Sequence, residues 1–575
     1  MAGIKSYNNY SYMGQGFFQI GITISLIIAI SPFLGRYIFD VFTKSKNILQ
    51  SFLKPLEQAI YLLGGISPEY NMTAWQYIRA LIGMNLCMAV AVYFILANQK
   101  NLPCNPTNLG PPSWDLTLHT TISFLTSTNI QHYAGENTFS YFSQIAGLGF
   151  LMFSSAATGL AAGIAVIRGF TGRPLGNFYV DITKGITYIF LPISIIGAIA
   201  LIITGVPQTL SPPVVVSTLE GETQYIAVGP VATFEIIKML GNNGAGFFTA
   251  NSAHPFENPN GASNLIEILA MAAIPNALIH TYGFFARNIK LAWFLFWMIF
   301  IIFVVMLGIS LVGEYEGNPL INNILGGNGG TPNLEGKEVR FGISQTILWA
   351  MLSTATMCGA MNGIHNSLLP NGGFATLFNL LLQSPWGGIG TGIIHMFMYL
   401  ILAAFLAELL VGNTPTFAGK KIEYKEILLV GLVLLIHPMA ILIPSAITLL
   451  NHISLIGIPN PDFHIFSQVI YEYASASSNN ANTFTELNNN SLWWNLSTSL
   501  SMIIGHYVPI IAMLIVAASM TNKPILSPSF DNIKIDSLLF TGWTAGLMLV
   551  LTTLIFLPVI LLGSIAEGVK LTSGG

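Results

Sequence analysis

The sequence predicts an all-α polytopic membrane protein with ten transmembrane helices. Charged residues make up 8% of the 575 residues, whereas soluble domains carry about 25%. Hydrophobic residues make up 53%, and the mean hydropathy is +0.65. A soluble fold of this length needs a charged surface that this composition does not provide. The composition therefore excludes an ordinary soluble enzyme, and a net charge of −3 without any basic run gives no indication of nucleic-acid binding.

Ten segments are long and apolar enough to cross a hydrocarbon core about 30 Å thick, which requires about 20 helical residues. In chain order they are 17–36, 77–97, 139–167, 183–205, 262–285, 290–313, 374–411, 426–451, 494–520 and 537–563. The first segment runs through Pro32 to Arg36 without a small-residue cleavage site, so we interpret it as a span rather than a signal peptide.

The distribution of basic residues predicts the orientation of these spans. If both termini lie outside, 15 of the 21 Lys and Arg residues fall on the inner side, in agreement with the positive-inside rule. Acidic residues, among them Glu257 and Glu314, fall mainly on the outer side. We therefore expect a multi-pass protein of the cell membrane whose outer surface attracts cations.

Four outer loops each contain a short amphipathic segment that is too short to span and ends in Gly, Asn, Ser or Thr. The segments are 114–129, 230–246, 341–362 and 463–483. Their reference residues Thr128, Gly244, Gly359 and Ala481 are separated by 116, 115 and 122 residues. This spacing indicates an internal repeat in which a span, a re-entrant half-helix, a polar return and a second span follow one another.

Four such units have the same polarity and can surround one axis, so we expect four tandem span, pore loop and span repeats around a pseudo-fourfold pore. One extra helix lies at each end. The predicted boundaries are 1–70 for the N-terminal helix and inner loop, 71–175, 176–287, 288–418 and 419–522 for the repeats, and 523–575 for the C-terminal helix.

The composition of the four clusters favours a dehydrated monovalent cation. Half-helices that enter from outside direct their negative C-terminal ends toward the membrane centre. Small residues and residues that tolerate unusual dihedral angles follow, so backbone carbonyls can replace the water around an ion. None of the clusters contains Asp or Glu. Neutral carbonyls suit potassium better than a divalent cation, for which a carboxylate ring is expected.

The span 374–411 contains 38 residues, which is too long for one straight helix in a bilayer. Five of the nine residues in 384–392 are Gly or Pro, so the sequence predicts a break there. The resulting loop, with Gly387, Gly388 and Gly390, would lie beneath the third re-entrant segment and gate the pore. Glu408 in the second half of this span is a further functional candidate.

Five strings carry a resemblance to a known family. They are TSTNIQHYAGENTFSY (126–141), GNNGAGFFTANSAHPFENP (241–259), CGAMNGIHNSL (358–368), VGNTPTFAGKKIE (411–423) and SSNNANTF (477–484). Together they resemble the channel-like, potassium-binding A subunit of the Kdp potassium-importing ATPase, in the superfamily of potassium transporters. The resemblance extends over essentially the whole chain.

This resemblance implies a subunit that captures external potassium as the transported ion, without an organic cofactor. The third-repeat loop would block direct passage to the cytoplasm, and an intramembrane tunnel would lead the ion to another subunit. The implied partners are a P-type ATPase catalytic subunit and a small accessory membrane subunit. The chain contains neither a GxxxxGK[ST] string nor an Asp-Lys-Thr-Gly string, so ATP hydrolysis is expected from the partner.

The resemblance also implies which residues contact the ion. These filter candidates are Ser127, Thr128, Asn129, Asn242, Asn243, Gly244, Cys358, Gly359, Asn479, Asn480 and Ala481. Gln131 matches a position that is linked in the family to potassium affinity.

Two positions depart from the family pattern. Ala481 stands where the family usually has glycine, and an alanine is strained there if the position requires a positive φ angle. Asn413 replaces an arginine of the Val-Gly-Arg-Thr-Pro string, which removes a positive charge from a candidate gating position.

Other functions remain open from the sequence. The nearest alternative is a passive or symport potassium transporter of the same superfamily. A membrane-embedded enzyme that uses His254 and Glu257 is a weaker one, because no nucleophile or complete metal-ligand set accompanies the pair. Cys87, Cys104 and Cys358 have no paired spacing, so neither a disulfide framework nor a zinc site is expected.

Overall fold

The computed structural model describes residues 2–43, 49–324, 331–383, 386–451, 463–484, 487, 489–526 and 534–573. Helices account for most of this part of the chain. In chain order they are α1 (Ala2–Thr43), α2 (Gln50–Gly64), α3 (Ala74–Ala97), α4 (Trp114–Leu125), α5 (Gly135–Thr138), α6 (Phe150–Phe170), α7 (Phe178–Lys184), α8 (Leu191–Thr204), α9 (Val231–Leu240), α10 (Gly261–Phe285), α11 (Ile289–Glu316), α12 (Pro319–Ile324), α13 (Gly342–Ala355), α14 (Pro370–Leu382), α15 (Thr391–Val411), α16 (Tyr424–Leu450), α17 (Phe463–Ser478), α18 (Leu492–Asn522), α19 (Leu538–Ile560) and α20 (Ala566–Ser573).

The described residues contain ten helical segments that are long and apolar enough to cross a membrane, which confirms the predicted number of spans. In three of them a π-helical turn joins the parts: Ser143–Gly149 before α6, Gly185–Phe190 between α7 and α8, and Leu561–Ile565 between α19 and α20. Within the described residues the strands form two short antiparallel hairpins: β1 (Val214–Ser217) with β2 (Thr223–Ile226), and β3 (Thr416–Phe417) with β4 (Lys420–Lys421).

The burial of the spans separates a central layer from a peripheral one. In the most apolar part of Ser143–Phe170, 89% of the residues are buried, against 22% in the first span and 28% in the last. A helix that is apolar on all sides and buried belongs to the interior of the bundle, whereas the exposed apolar faces of the first and last spans suit lipid. The most buried spans therefore form the interior of the bundle.

Each predicted re-entrant segment contains a helix that is too short to span. These half-helices are α4, α9, α13 and α17. The long seventh span is broken as predicted, because α14 ends at Leu382 and α15 begins at Thr391. Ser384 and Pro385, which the sequence analysis places in the break, lie outside the described residues. The boundaries predicted for the N-terminal helix, the four repeats and the C-terminal helix stay predictions.

Helices α1 and α10 pack at close distance because glycine lies at their contact. A Cβ atom built on Gly35 of α1 would lie 2.7 Å from the carbonyl oxygen of Ala277 and 2.7 Å from Cβ of His280. Small residues let membrane helices approach until their backbones are in contact. By contrast, a Cβ atom on Gly21 of the same helix meets nothing within 4 Å.

We expect Gly35→Val to lower the thermal stability of the protein, because the added side chain forces α1 away from α10. Overpacking of this kind costs about 1–3 kcal/mol. The melting temperature of the purified chain in detergent measures the effect, and Gly21→Val is the matched control. Equal melting temperatures for the two variants would contradict this account of the α1–α10 contact.

Candidate functional site

The four half-helices end in the same way. We name the five residues from each helix end turns I (126–130), II (241–245), III (356–360) and IV (478–482). In each turn the second residue has a positive φ angle: Ser127 (58°), Asn242 (50°), Met357 (53°) and Asn479 (57°). In each turn the third residue also donates its backbone N–H to the carbonyl five residues earlier: Thr128 to Ser123 (3.0 Å), Asn243 to Lys238 (3.0 Å), Cys358 to Ser353 (2.9 Å) and Asn480 to Ser475 (2.9 Å). This is a Schellman cap, which satisfies helix-end carbonyls and turns the chain sharply.

The fourth residue separates turn IV from the others. Asn129 (61°), Gly244 (86°) and Gly359 (84°) have positive φ angles, but Ala481 does not. The strain that a positive φ would impose on an alanine therefore does not arise in turn IV. The backbone also aligns Asn129, rather than Thr128, with Gly244 and Gly359. The reference residue used in the sequence analysis for the first repeat is thus displaced by one position.

Side-chain amides link the four turns into a closed ring. Asparagine side chains join turns I with II, II with III and IV with I directly, and they join turn IV to Ser353 at the end of α13, the half-helix that precedes turn III. The four bonds run from Asn243 Nδ2 to Ser127 Oγ (2.8 Å), from Asn242 Nδ2 to the Thr356 carbonyl (2.9 Å), from Asn480 Nδ2 to the Ser353 carbonyl (3.0 Å) and from Asn479 Nδ2 to Thr128 Oγ1 (2.8 Å). The structure thus brings the filter candidates of all four repeats together.

Turns II, III and IV are also in backbone contact. A Cβ atom on Gly244 would collide with the carbonyl oxygen of Cys358 and lie 2.7 Å from Cβ of Ala481. A Cβ atom on Gly359 would collide with the backbone nitrogen of Ala481. Glycine is required at both positions by the positive φ angle and by this close approach. The side chain of Cys358 is buried.

Gln131, the predicted affinity residue, lies just beyond turn I and binds the chain after turn II. Its Nε2 donates to the carbonyl of Gly246 (2.9 Å), and its Oε1 accepts from the N–H of the same residue (2.8 Å). Both hydrogen-bonding groups of one peptide residue are thereby held by a single side chain. Gln131 contributes to the mutual position of turns I and II.

A buried cluster of charged side chains contacts turn II through Asn251. Lys238 Nζ contacts Glu235 Oε2 (2.6 Å) and Glu257 Oε2 (2.8 Å) and donates to Asn251 Oδ1 (2.9 Å), and these side chains are buried. Asn251 Nδ2 in turn donates to the carbonyl of Gly244 (2.6 Å). Lys238 therefore holds Asn251, and Asn251 binds the carbonyl of Gly244 in turn II.

The sequence analysis missed this cluster, although Glu235 and Lys238 form an i, i+3 pair in an otherwise apolar half-helix. It also placed Glu257 and Glu314 on the outer acidic surface. Both carboxylates are buried instead, because Glu257 pairs with Lys238 and Glu314 pairs with Lys337 (2.8 Å). The negative charge expected at the outer surface is reduced accordingly.

The break between α14 and α15 lies against turn III. The N–H of Gly388 donates to the carbonyl of Thr356 (2.7 Å), at the end of the third half-helix. On the other side, a Cβ atom on Gly390 (φ 83°) would collide with the carbonyl oxygen of Gly159 in α6. Gly387 is buried in the same loop. The loop is thus wedged between turn III and a central span.

The remaining candidates lie elsewhere. Glu408 is buried near the end of α15, and its carbonyl accepts the N–H of half-buried Asn413 (2.9 Å). His254 stacks on Phe248 with ring centroids 3.9 Å apart. Glu257 is occupied by Lys238 and by the N–H of Phe248 (2.7 Å). The structure therefore gives no support to a His254 and Glu257 catalytic pair.

Comparison with known proteins identifies relatives over nearly the full length. A family model described as "Potassium-transporting ATPase A subunit" matches residues 21–569. Proteins named "Potassium-transporting ATPase potassium-binding subunit" are similar to this chain in Nostoc sp. (61% identity, 98% of this chain and 100% of the relative) and Synechocystis sp. (54%, 97% and 100%). The protein of that name in Geobacillus kaustophilus is 43% identical over 96% of this chain and 99% of its own.

The fold is similar to that of a solved transporter. The crystal structure of the potassium transporter TrkH from Vibrio parahaemolyticus matches with a TM-score of 0.50 and 13% identity, over 86% of this chain and 98% of that chain. At this identity the match concerns the fold alone.

We expect Lys238→Met to destabilise the protein strongly. Removal of one partner from a buried ion pair typically costs about 3–5 kcal/mol, because the remaining charge is left uncompensated. Thermal unfolding of the purified chain measures the loss. The control is Lys425→Met, because Lys425 in α16 is exposed. A melting temperature for Lys238→Met that matches the control would contradict the supporting role of the cluster.

Proposed function

The chain belongs to the Potassium-transporting ATPase A subunit family, and from this premise we propose that turns I to IV form its potassium-selective filter. The transported ion enters from outside and is passed through the membrane interior to an ATP-hydrolysing subunit. The proposed ion contacts are the candidates named from the sequence: Ser127, Thr128, Asn129, Asn242, Asn243, Gly244, Cys358, Gly359, Asn479, Asn480 and Ala481.

The single observation that carries this proposal is the closed ring of amide hydrogen bonds that joins the four turns and the end of α13. Irregular backbone occurs at membrane depth only where it is buried in protein or lines a cavity. We propose that the four turns, which share the same cap, direct free backbone carbonyls toward a common centre. Such a ring of carbonyls is the arrangement by which a filter replaces the hydration shell of potassium.

Electrostatics supports a monovalent cation. Each half-helix presents its negative C-terminal end to the ring, and the turns themselves carry no charged side chain. The charged side chains around Lys238 lie outside the four turns and pair with one another. Neutral oxygens without a carboxylate ring favour potassium over calcium or magnesium.

We assign the energy source to other subunits. The sequence contains no ATP-hydrolysis string, so the proposed partners are a P-type ATPase catalytic subunit and a small accessory membrane subunit in the cell membrane. Both termini of this chain would lie outside. The complex, purified with its natural partners, should show potassium-stimulated ATP hydrolysis. Potassium movement that follows the membrane potential without ATP hydrolysis would instead identify a passive or symport transporter.

The loop between α14 and α15 is the proposed gate. Its hydrogen bond to Thr356 lies at the start of turn III, and its contact with Gly159 holds it against a central span. We propose that this loop stops the ion from passing straight into the cytoplasm and diverts it sideways. Gly387, Gly388 and Gly390 belong to the loop, and Asn413 caps the far end of α15.

We expect Gly244→Asp to raise the potassium concentration for half-maximal ATP hydrolysis by about tenfold or more, and to admit smaller cations. The side chain would displace the Cys358 carbonyl and add a charge to a neutral site, each at a cost of about 1 kcal/mol or more. Potassium and sodium titrations of the complex measure the effect. The control is Gly261→Asp, where a Cβ atom meets nothing within 4 Å. Unchanged affinity and selectivity for Gly244→Asp would contradict the filter assignment.

We expect Gly390→Ala to increase potassium leakage or to uncouple transport from ATP hydrolysis, because the methyl group pushes the loop off α6. Potassium flux per ATP in reconstituted vesicles measures the coupling. Gly412→Ala is a matched control, since Gly412 also has a positive φ angle (80°) but meets nothing within 4 Å. Both variants carry the same backbone penalty, so equal coupling in the two would contradict the gate.

A further inference from the structure

Three arginines line one cavity near the ends of membrane helices, and none of the lining residues belongs to turns I to IV. The cavity has a volume of about 390 Å³ and is lined by Arg36, Phe39, Arg173, Gly283, Phe284, Arg287 and Ile289. Arg36 belongs to α1, Arg173 follows α6, and Arg287 follows α10. The positive-inside rule places these three helix ends on the cytoplasmic side of the membrane.

Aromatic rings hold two of the guanidinium groups at the cavity. The guanidinium carbon of Arg36 lies 5.4 Å from the ring centre of Phe39 and 5.1 Å from that of Phe284. The guanidinium carbon of Arg173 lies 5.0 Å from the ring centre of Phe285. Cation–π contacts orient an arginine without using its N–H donors. The cation–π contacts thus leave available for a ligand every N–H donor of these two side chains except Nε of Arg36, which faces Asp40.

The positive charge at the cavity is only partly compensated. Arg36 forms an ion pair with Asp40 (3.3 Å). For Arg173 and Arg287, the described part of the chain provides no acidic side chain within ion-pairing distance. Burial lowers the pKa of Arg173, and the nearby charges of Arg287 and Arg168 lower it further. Arginines that repel one another in this way indicate a site that an anion stabilises.

We propose that this cavity binds the phosphate group of an anionic phospholipid from the cytoplasmic leaflet. Arginine matches a phosphate with paired N–H donors, and basic pockets between membrane helices on the cytoplasmic side bind phospholipid headgroups. The lipid-facing surface next to the cavity favours a lipid over free phosphate. Phe33 of α1 is 78% exposed and Ile289 of the lining is 42% exposed, so acyl chains find an apolar surface beside the headgroup site.

The test counts lipid that remains on the full chain after purification. The chain is equilibrated with mixed micelles of phosphatidylcholine and phosphatidylglycerol, and native mass spectrometry measures the phosphatidylglycerol retained. We expect Arg287→Gln and Arg173→Gln each to weaken this binding by roughly fivefold, from the loss of one basic side chain near the headgroup. Arg173→Lys, which keeps the charge, should restore part of it. Lys54→Gln, an exposed basic residue of α2 outside the cavity lining, is the control.

Each outcome decides the proposal. The lipid site is supported if phosphatidylglycerol retention falls in both arginine-to-glutamine variants and is unchanged in Lys54→Gln. Added inorganic phosphate should then leave the retained lipid in place. Displacement of the lipid by inorganic phosphate overturns the lipid source in favour of a free phosphate. Equal retention in all variants overturns the site, and loss of a co-purified subunit in place of lipid assigns the arginines to a protein partner. Arg287 is exposed, so Arg287→Gln is expected to fold and keeps the test decisive.

Discussion

The constraint on which the rest of the structure depends is that backbone leaving a helix inside the membrane must still be hydrogen-bonded. An unpaired peptide group costs several kcal/mol in hydrocarbon, by order of magnitude. Four half-helices end in the buried interior of the protein, so the same problem arises four times. The same Schellman cap satisfies backbone carbonyls at each helix end, and asparagine side chains join the caps to each other. The shape of the central site is therefore a consequence of satisfying the backbone.

The four turns share this backbone solution but are supported differently. Turn II is held by Gln131 from turn I's side and by Lys238 through Asn251. Turn III is contacted by the loop of Gly388. Turn IV has an alanine with an ordinary φ angle at its fourth residue. A fourfold backbone with unequal supports is expected to respond unequally to strain, and the most firmly anchored side is the one next to turn II.

The parts of this architecture that depend on hydropathy could be predicted from the sequence. The ten spans, the four half-helices and the broken seventh span follow from runs of apolar residues and from the Gly and Pro content of 384–392. The amide ring could not be predicted, because an asparagine in a glycine-rich turn is equally suited to a solvated loop. The same is true of Lys238 and Glu257. Their sequence separation of 19 residues carries no information on contact, and the sequence therefore predicts Glu257 at the outer surface.

The carbonyl oxygen of Thr356 binds both the ring of asparagine side chains and the loop between α14 and α15. It accepts Asn242 Nδ2 from turn II (2.9 Å) and the N–H of Gly388 from the loop (2.7 Å). A carbonyl oxygen has two lone pairs, so these two donors use its full capacity. If the loop moves away, this buried oxygen loses one partner, and its bond to turn II must strengthen or shift. Loop position and the geometry of turns II and III are therefore coupled through a single atom, which gives ion occupancy a direct physical route to the proposed gate.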